Sequence, residues 1–372
     1  MPDVSSNQPV DVCLWVALDV HKLSIVVAVL PAWGGEPEVW QIPSTDSAIR
    51  KLIKRLGGPA GLAVCYEAGP TGFELYRRLS ELGVGCDVIA PSLIPVRKGD
   101  RVKTDRRDAK RLVRLYRAGE LSYVLAPSPE TEGLRDLMRC REDLVRARTA
   151  ARNQVAKQLL RYGRVFREGK KLWTVTHRQW VARQQLDDPL AQAAFDQMLL
   201  YLQGLEVQLA QFDQALERVA TGPRWAGTVD ALRAFRGIST RTALGLIAEI
   251  GDFARFSSPR ELYAWIGIVP TEYSSGEQVH RGHITKTGNQ HARRLLVEAA
   301  WHYRHRPRKT AGTSPHAWQA QIRLHHRHTH LTSHGKRSTV ANIAVARELA
   351  GFIWAAATNQ PLRTPTPTTA AT

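Results

Sequence analysis

Short apolar runs separated by polar or glycine-bearing breaks dominate the first ninety residues, a pattern of strands rather than long helices. Residues 12–30 read as a β-hairpin, two apolar runs flanking the polar break His21-Lys22, and a third strand follows near Glu38–Ile42. Ser44 or Thr45 is placed to cap a helix running to Leu56, which Gly57-Gly58 stops. The next apolar run ends at Glu67. Pro70 opens a helix over Phe73–Leu82, Gly83 closes it, and Val84–Ala90 forms a fifth strand. Three leading strands followed by strand–helix alternation predict a mixed sheet with helices on its faces, an α/β domain.

Helical periodicity takes over further on. From about Asp105, Leu112, Leu115 and Tyr116 share one stripe, and Pro127 and Pro129 mark a boundary. Thr131–Tyr162 is helical, polar and Arg-rich, and Trp173–Asp188 is ambiguous. A second long helix carries Met198, Leu202, Leu205, Leu209, Phe212, Leu216 and Val219 at alternating spacings of four and three, a packing seam for either an antiparallel hairpin or a dimeric coiled coil. A mainly α domain begins near Trp225. Within it, Leu232–Leu244 reads as helix, tight turn at Gly237, helix. This is a helix-hairpin-helix-like element, or a plain helical corner, in which Ser239 replaces the usual second turn glycine. Ser258-Pro259-Arg260-Glu261 predicts a capping box, 271–290 a loop or hairpin, Asn289–His305 a helix, 304–335 an irregular His-rich basic stretch, and Val340–Ala356 a final apolar helix. A Pro/Thr tail from about Gln360 is expected to be disordered. The expected domains are 10–126 (α/β, catalytic), 127–222 (central long-helix, coiled-coil linker), 223–358 (C-terminal, mainly α) and the tail 359–372.

Charge then narrows the class. With 52 Lys and Arg against 34 Asp and Glu among 372 residues, the net charge is +18, which favours a polyanionic partner held by counterion release. No run of 18 apolar residues predicts a membrane span, and the N-terminus lacks the signal-peptide pattern, so a cytoplasmic protein is expected. Cys13, Cys65, Cys86 and Cys140 show no C-x-x-C spacing; three fall in predicted strands, where buried thiols act as small apolar groups in a reducing compartment.

Four acids stand out from this basic background. Asp19 and Glu67 each end an apolar strand, on the rim of the sheet, and Asp105 and Asp108 share one face of a helix. If that helix packs beside the rim, all four converge on hard divalent cations such as Mg²⁺, which take oxygen ligands. Taken singly, each acid reads as a surface or capping residue; their joint placement is what suggests phosphodiester chemistry on nucleic acid. The basic stretches 97–117 (ten Lys/Arg) and 281–309 would then hold nucleic-acid backbones, with Lys103, Arg106, Arg107, Arg281, Lys286, Arg293 and Arg294 as candidate contacts. The histidines of 325–334 lack the closed spacing of a zinc site and suit a basic loop better.

Ordered motifs across about residues 12–305 carry a family resemblance. They include Ala17–Lys22, Cys65–Gly72, Lys103–Ala109, Arg236–Ile238, Ala248–Asp252, Gly267–Gly276, Gly282–Asn289 and Arg293–Ala299. With these the chain resembles the DEDD transposases of bacterial insertion sequences (the IS-one-ten type), relatives of the Piv and MooV DNA invertases. The resemblance implies an RNase H/RuvC-like N-terminal domain whose Asp19, Glu67, Asp105 and Asp108 ligate Mg²⁺. It also implies a C-terminal transposase domain with a nucleophilic serine, mapping onto Ser275 with Ser274 as neighbour. It further implies a noncoding guide (bridge) RNA that selects donor and target DNA, with element ends and target as DNA partners and the nucleoid as the place of action. A homodimer or dimer of dimers suits strand exchange. A RuvC-like Holliday-junction nuclease, hydrolysing through water, is the alternative with the same acids.

Overall fold

The computed structural model describes residues 11–95, 104–275, 278–310 and 312–359, and at Ser274, Ser275, Gln278, Val279 and Arg281 the backbone alone. Lys103 and the expected tail beyond Asn359 lie outside them. The chain divides into two compact units, Asp3–Ser128 and Pro129–Thr372.

In the first unit, β1 (Leu14–Val20), β2 (Ser24–Pro31) and β3 (Glu38–Pro43) form an antiparallel meander; β4 (Leu62–Glu67) and β5 (Gly85–Ile89) add in parallel beside β1. The sheet order is β3-β2-β1-β4-β5-β6. The last strand, β6 (Tyr123–Val124), is a two-residue antiparallel edge that the sequence pattern did not predict, being too short for any alternation. Helix α1 (Asp46–Arg55) is capped by Thr45, whose hydroxyl accepts from the Ala48 amide, and α2 (Glu74–Glu81) follows Phe73, three residues beyond Pro70.

Alternation along the strands divides the core into two layers. Val16, Leu18, Val64 and Tyr66 pack with Ile49, Leu52, Leu75 and Leu79 of α1 and α2. Ala17, Ala63, Cys65 and Ile89 face the other way and pack under Ala109, Leu112, Val113 and Tyr116 of α3 (Asp105–Arg117). Small residues on this second face let α3 approach the sheet closely. Cys65 and Cys86 are buried, as expected of apolar thiols; Cys13 precedes β1 and is exposed.

In the second unit, α4 (Pro129–Arg161) and α6 (Pro189–Ala220) pair within one chain. Arg141 meets Asp213 at 2.7 Å, Arg152 meets Glu206 at 2.5 Å, and Gln158 donates to the Ala191 carbonyl at 3.3 Å. Partner numbers fall as α4 numbers rise, so the pair is antiparallel. Leu202, Leu205, Leu209 and Leu216 of the seam are buried in this unit. The ambiguous segment contains α5 (Val175–Ala182), whose Val181 packs with Val155, Leu159 and Phe195. Leu134 and Met138 of α4 and Leu216 of α6 enter the same core as the C-terminal helices, so 127–222 and 223–358 share one unit.

The remaining helices are α7 (Ala226–Arg233), α8 (Thr240–Ile250), α9 (Pro259–Ile266), α10 (Gln290–Ala300), α11 (Pro315–Ser333) and α12 (Ser338–Ala357), with a hairpin of β7 (Pro270–Ser275) and β8 (Gln278–Ile284) between α9 and α10. Two expectations change. The stretch 304–335 is largely the helix α11, not irregular: Ala317, Ala320, Gln321, Leu324 and His328 face inward, a stripe hidden by its small and polar members. The capping box is displaced by one residue, because Glu261 accepts from the backbone amide (2.8 Å) and hydroxyl of Ser257, while Ser258 makes no side-chain cap. Helix α12 is long and apolar enough to cross a bilayer, yet Val345, Leu349 and Ile353 are fully buried in the core of this unit.

Candidate active site

Asp19 and Glu67 come together by register. The parallel pairing of β1 with β4 ends at Leu18 opposite Tyr66, so Asp19 and Glu67 occupy the next positions of adjacent strands, which run about 4.8 Å apart. Both share parity with Ala17 and Cys65, which face α3. Asp105 and Asp108 lie in the first turn of that helix, one turn before the buried Ala109 and Leu112, so the inward stripe continues through them. Thr104 caps this end, its hydroxyl accepting from the Arg107 amide at 3.4 Å. Helix-dipole attraction also favours acids here, a purely structural reason for two aspartates in one turn.

The electrostatics mark the cluster. Partial burial pushes the Asp19 carboxyl above its ordinary value; the charges of Asp105 and Asp108 push the same way, and His21 opposes them. His21 Nε2 lies 3.3 Å from Asp19 Oδ2 and 3.5 Å from Asp105 Oδ2. One ligand atom from each of Asp19, His21 and Asp105 falls within 4.8 Å of the others. These residues fit a divalent cation: the donors are predominantly hard oxygens, Asp19 is partly buried while His21 and Asp105 are exposed, and a cation would relieve the repulsion between the two carboxylates. In the sequence His21 is the polar break of a hairpin and a member of the motif Ala17–Lys22; nothing in periodicity reveals that the β1–β2 turn carries its ring to Asp19 and Asp105.

The sheet face below holds another acid that sequence reading missed. Asp87 is buried on β5, and the Tyr116 hydroxyl of α3 donates to its Oδ2 at 2.8 Å, with the Val64 carbonyl at 3.2 Å. Burial pushes the Tyr116 hydroxyl pKa far up, and the neighbouring Cys65 and Asp87 add to the shift, so it remains a donor.

The candidate nucleic-acid residues divide by environment. Arg106 donates to the Val39 carbonyl at 3.1 Å, whereas the Arg107 guanidinium has no partner among the described residues. Elsewhere on α3, Arg114 pairs with Glu36 at 2.7 Å and Arg117 donates to the Ala32 carbonyl, so part of this basic run fastens the helix to the loop before β3. In the second unit, Arg293 donates to the carbonyls of Ile266 (2.6 Å) and Thr287 (3.4 Å), and Arg294 pairs with Glu298 and Glu142. Lys286 holds a left-handed backbone (φ 56°), and Arg281 lies on β8 opposite Glu272.

Ser275 occupies the last paired position of β7, opposite Gln278, at the tip of the hairpin. The base of that hairpin is held by a close crossing of backbones. A Cβ on Gly267 (φ +74°) would lie 1.9 Å from the Thr287 carbonyl oxygen, and one on Gly288 (φ +82°) 1.9 Å from that of Trp265. Only glycine meets both demands. Gly237 turns the corner between α7 and α8 (φ +86°), and a side chain there would strike the Ala299 carbonyl, so this face of the turn serves packing.

Comparison with known proteins gives the family. A family model described as a transposase of the DEDD IS110 type matches residues 16–163, and the transposase IS116/IS110/IS902 family model matches 229–313. The chain is 42% identical to a Sinorhizobium fredii protein named as a transposase (y4qE), across 92% of this chain and 88% of that one. It is 32% identical to the transposase for insertion sequence element IS1533 of Leptospira borgpetersenii, across 78% and 85% of the two chains. A mixed-sheet α/β unit bearing the acids and a mostly helical C-terminal region are compatible with an RNase H-like DEDD fold. The chain belongs to the IS110-type family of DEDD insertion-sequence transposases, enzymes that act on DNA.

Proposed function

We propose that this transposase cleaves and rejoins DNA through a Mg²⁺-dependent acid cluster of Asp19, Glu67, Asp105 and Asp108 acting with Ser275 as nucleophile. The observation that carries the reading is the convergence on one sheet face of two strand-end acids and the first turn of α3. Bound divalent cations would supply charge neutralisation at the scissile phosphate and lower the pKa of a coordinated hydroxyl.

The chain's own residues do the rest. Asp19 and Asp105 present oxygen atoms at one end of α3, Asp19 held by its paired strand and Asp105 by the capped first turn of the helix. Ser275 Oγ attacks phosphorus; an Oγ–P bond forms as the P–O bond to the departing deoxyribose oxygen breaks. The proton lost by the serine is balanced by the one gained by the leaving hydroxyl. The resulting phosphoserine ester retains the energy of the phosphodiester, so a hydroxyl of a second DNA end reverses the step and joins there. The acids and Ser275 belong to different compact units, and a homodimer or dimer of dimers belongs to the same reading. The basic residues of 97–117 and 281–309, Arg107 and Lys286 foremost, would contact DNA and a guide RNA. The functional regions 10–126, 127–222 and 223–358, the last two within one compact unit, and a cytoplasmic, nucleoid-associated location belong to the same reading.

The test is a covalent adduct. After reaction of the protein with end-labelled element-end DNA and its RNA, wild type should retain label through denaturation and Ser275→Ala should not, while still binding DNA. Adduct at normal yield in Ser275→Ala removes Ser275. One second reading rests on the acids by themselves, Asp19 and Asp105 lying together with His21 and with no serine in the group: a RuvC-like junction nuclease using the acids alone. Metal-dependent cleavage by Ser275→Ala with no adduct in wild type would establish it.

A further inference from the structure

Within this proposed metal centre, one residue outside the four acids has the geometry of a ligand. We propose that His21 is a nitrogen ligand of one of the cations, shared with Asp19 and Asp105, and that it biases this position toward Mn²⁺ over Mg²⁺. The proposal rests on the acid cluster being a cation site.

Three observations carry it. His21 Nε2 faces both carboxylates at once, 3.3 Å from Asp19 Oδ2 and 3.5 Å from Asp105 Oδ2. Adjacent ligands in an octahedron with bonds of about 2.1 Å stand about 3 Å apart, so these separations need only small closing movements to become two edges of a coordination shell. All three atoms lie within 4.8 Å of one another, close to the span of such a shell. Finally, the His21 amide donates to the Ser24 carbonyl (2.9 Å) at the start of β2, so the ring stands on fixed backbone two residues beyond Asp19.

Chemistry then sets the preference. Mg²⁺ takes oxygen ligands almost exclusively, whereas imidazole is a ligand for first-row transition ions and carboxylates accept Mn²⁺ readily. Exchanging one oxygen ligand for imidazole costs Mg²⁺ more than it costs Mn²⁺, so His21 shifts the preference of the site toward Mn²⁺. An ordinary ion pair between His21 and the acids is the competing account, and it predicts the opposite metal response: removing His21 would then free the carboxylates and tighten cation binding.

The experiment uses the full-length protein and Mn²⁺ alone, read by EPR titration and by pulsed-EPR detection of ¹⁴N coupling. Wild type should bind Mn²⁺ with a resolved imidazole ¹⁴N signal. His21→Ala should lose that signal and weaken Mn²⁺ binding on the order of 10- to 100-fold, with Mg²⁺ competition little changed and the circular dichroism of the metal-free protein intact. Mn²⁺ bound without ¹⁴N coupling in wild type, or bound equally or more tightly in His21→Ala, overturns the proposal while leaving the acid site standing. Failure of wild type to bind Mn²⁺ at all, or Asp19→Asn binding as wild type does, removes the acid site and this proposal with it.

Discussion

The Tyr116 hydroxyl and the buried Asp87 carboxylate join at 2.8 Å beneath α3, tying the last turns of that helix to β5. The first turn of the same helix carries Asp105 and Asp108, so the bond helps to fix where these acids stand. Tyr116→Phe removes one donor from a buried carboxyl with almost no change of shape. The expected loss is about 1–3 kcal/mol of stability, read from the urea midpoint. An unchanged midpoint would assign Asp87 to its other contacts.

The acid cluster is expected to be needed for chemistry and not for folding. Asp19→Asn, Glu67→Gln and Asp105→Asn should each reduce DNA cleavage by about a hundredfold or more, if the lost charge stabilisation is worth several kcal/mol. The melting temperatures of Asp19→Asn and Asp105→Asn should equal or exceed wild type, since each relieves the like-charge repulsion between these two carboxylates. Chelation by EDTA should stop cleavage by wild type, and added Mg²⁺ should restore it. Full activity in any one variant removes that residue from the site.

Glu249 on α8 makes a pH-dependent contribution to the second unit. Burial raises its pKa, but hydrogen bonds from Arg139 (3.1 and 3.2 Å) and Asn289 (2.7 Å), with the charges of Arg139 and Arg135, outweigh burial and hold it below the usual carboxylate range. A carboxyl whose folded pKa lies below its unfolded one adds stability above the unfolded pKa. That stability is lost as pH falls through the folded value. Thermal melts should therefore show part of the acid destabilisation missing in Glu249→Gln. Glu249→Ala, which leaves two guanidinium groups facing an empty site, should cost about 3–5 kcal/mol at neutral pH.

The glycine crossing under the β7–β8 hairpin gives a prediction about Ser275 at a distance. Gly267→Ala forces a side chain toward the Thr287 carbonyl and a left-handed backbone that alanine disfavours. It should destabilise the second unit by more than about 1 kcal/mol and depress adduct formation at temperatures where the protein remains folded. Gly35→Ala, also at positive φ but with open space around its Cβ position, is the control for backbone strain alone.

Much of this molecule was legible without coordinates. Strands β1 to β5 follow from apolar runs bounded by polar breaks, and α6 from its seam, because burial of one face imposes a period that survives in the sequence. The placement of Asp19 and Glu67 at strand ends and of Asp105 and Asp108 on one helix face was readable for the same reason. Where the period is carried by alanine, glutamine and histidine, as in α11, hydrophobicity does not announce it. Where an element is two residues long, as in β6, no period exists.

What the sequence by itself determined is therefore the local order of elements, their exposed and buried faces, and which acids stand at ends where a cation could be held. Tertiary packing alone decided which of those ends meet. Parallel register set Asp19 beside Glu67, small residues let α3 lie close enough to add Asp105, the turn after β1 returned His21 over the acids, and α4 took α6 of its own chain as its partner. The physical reason is that periodicity records which face of an element is buried, whereas the partner on that face is chosen by shape, register and charge between segments far apart in the chain.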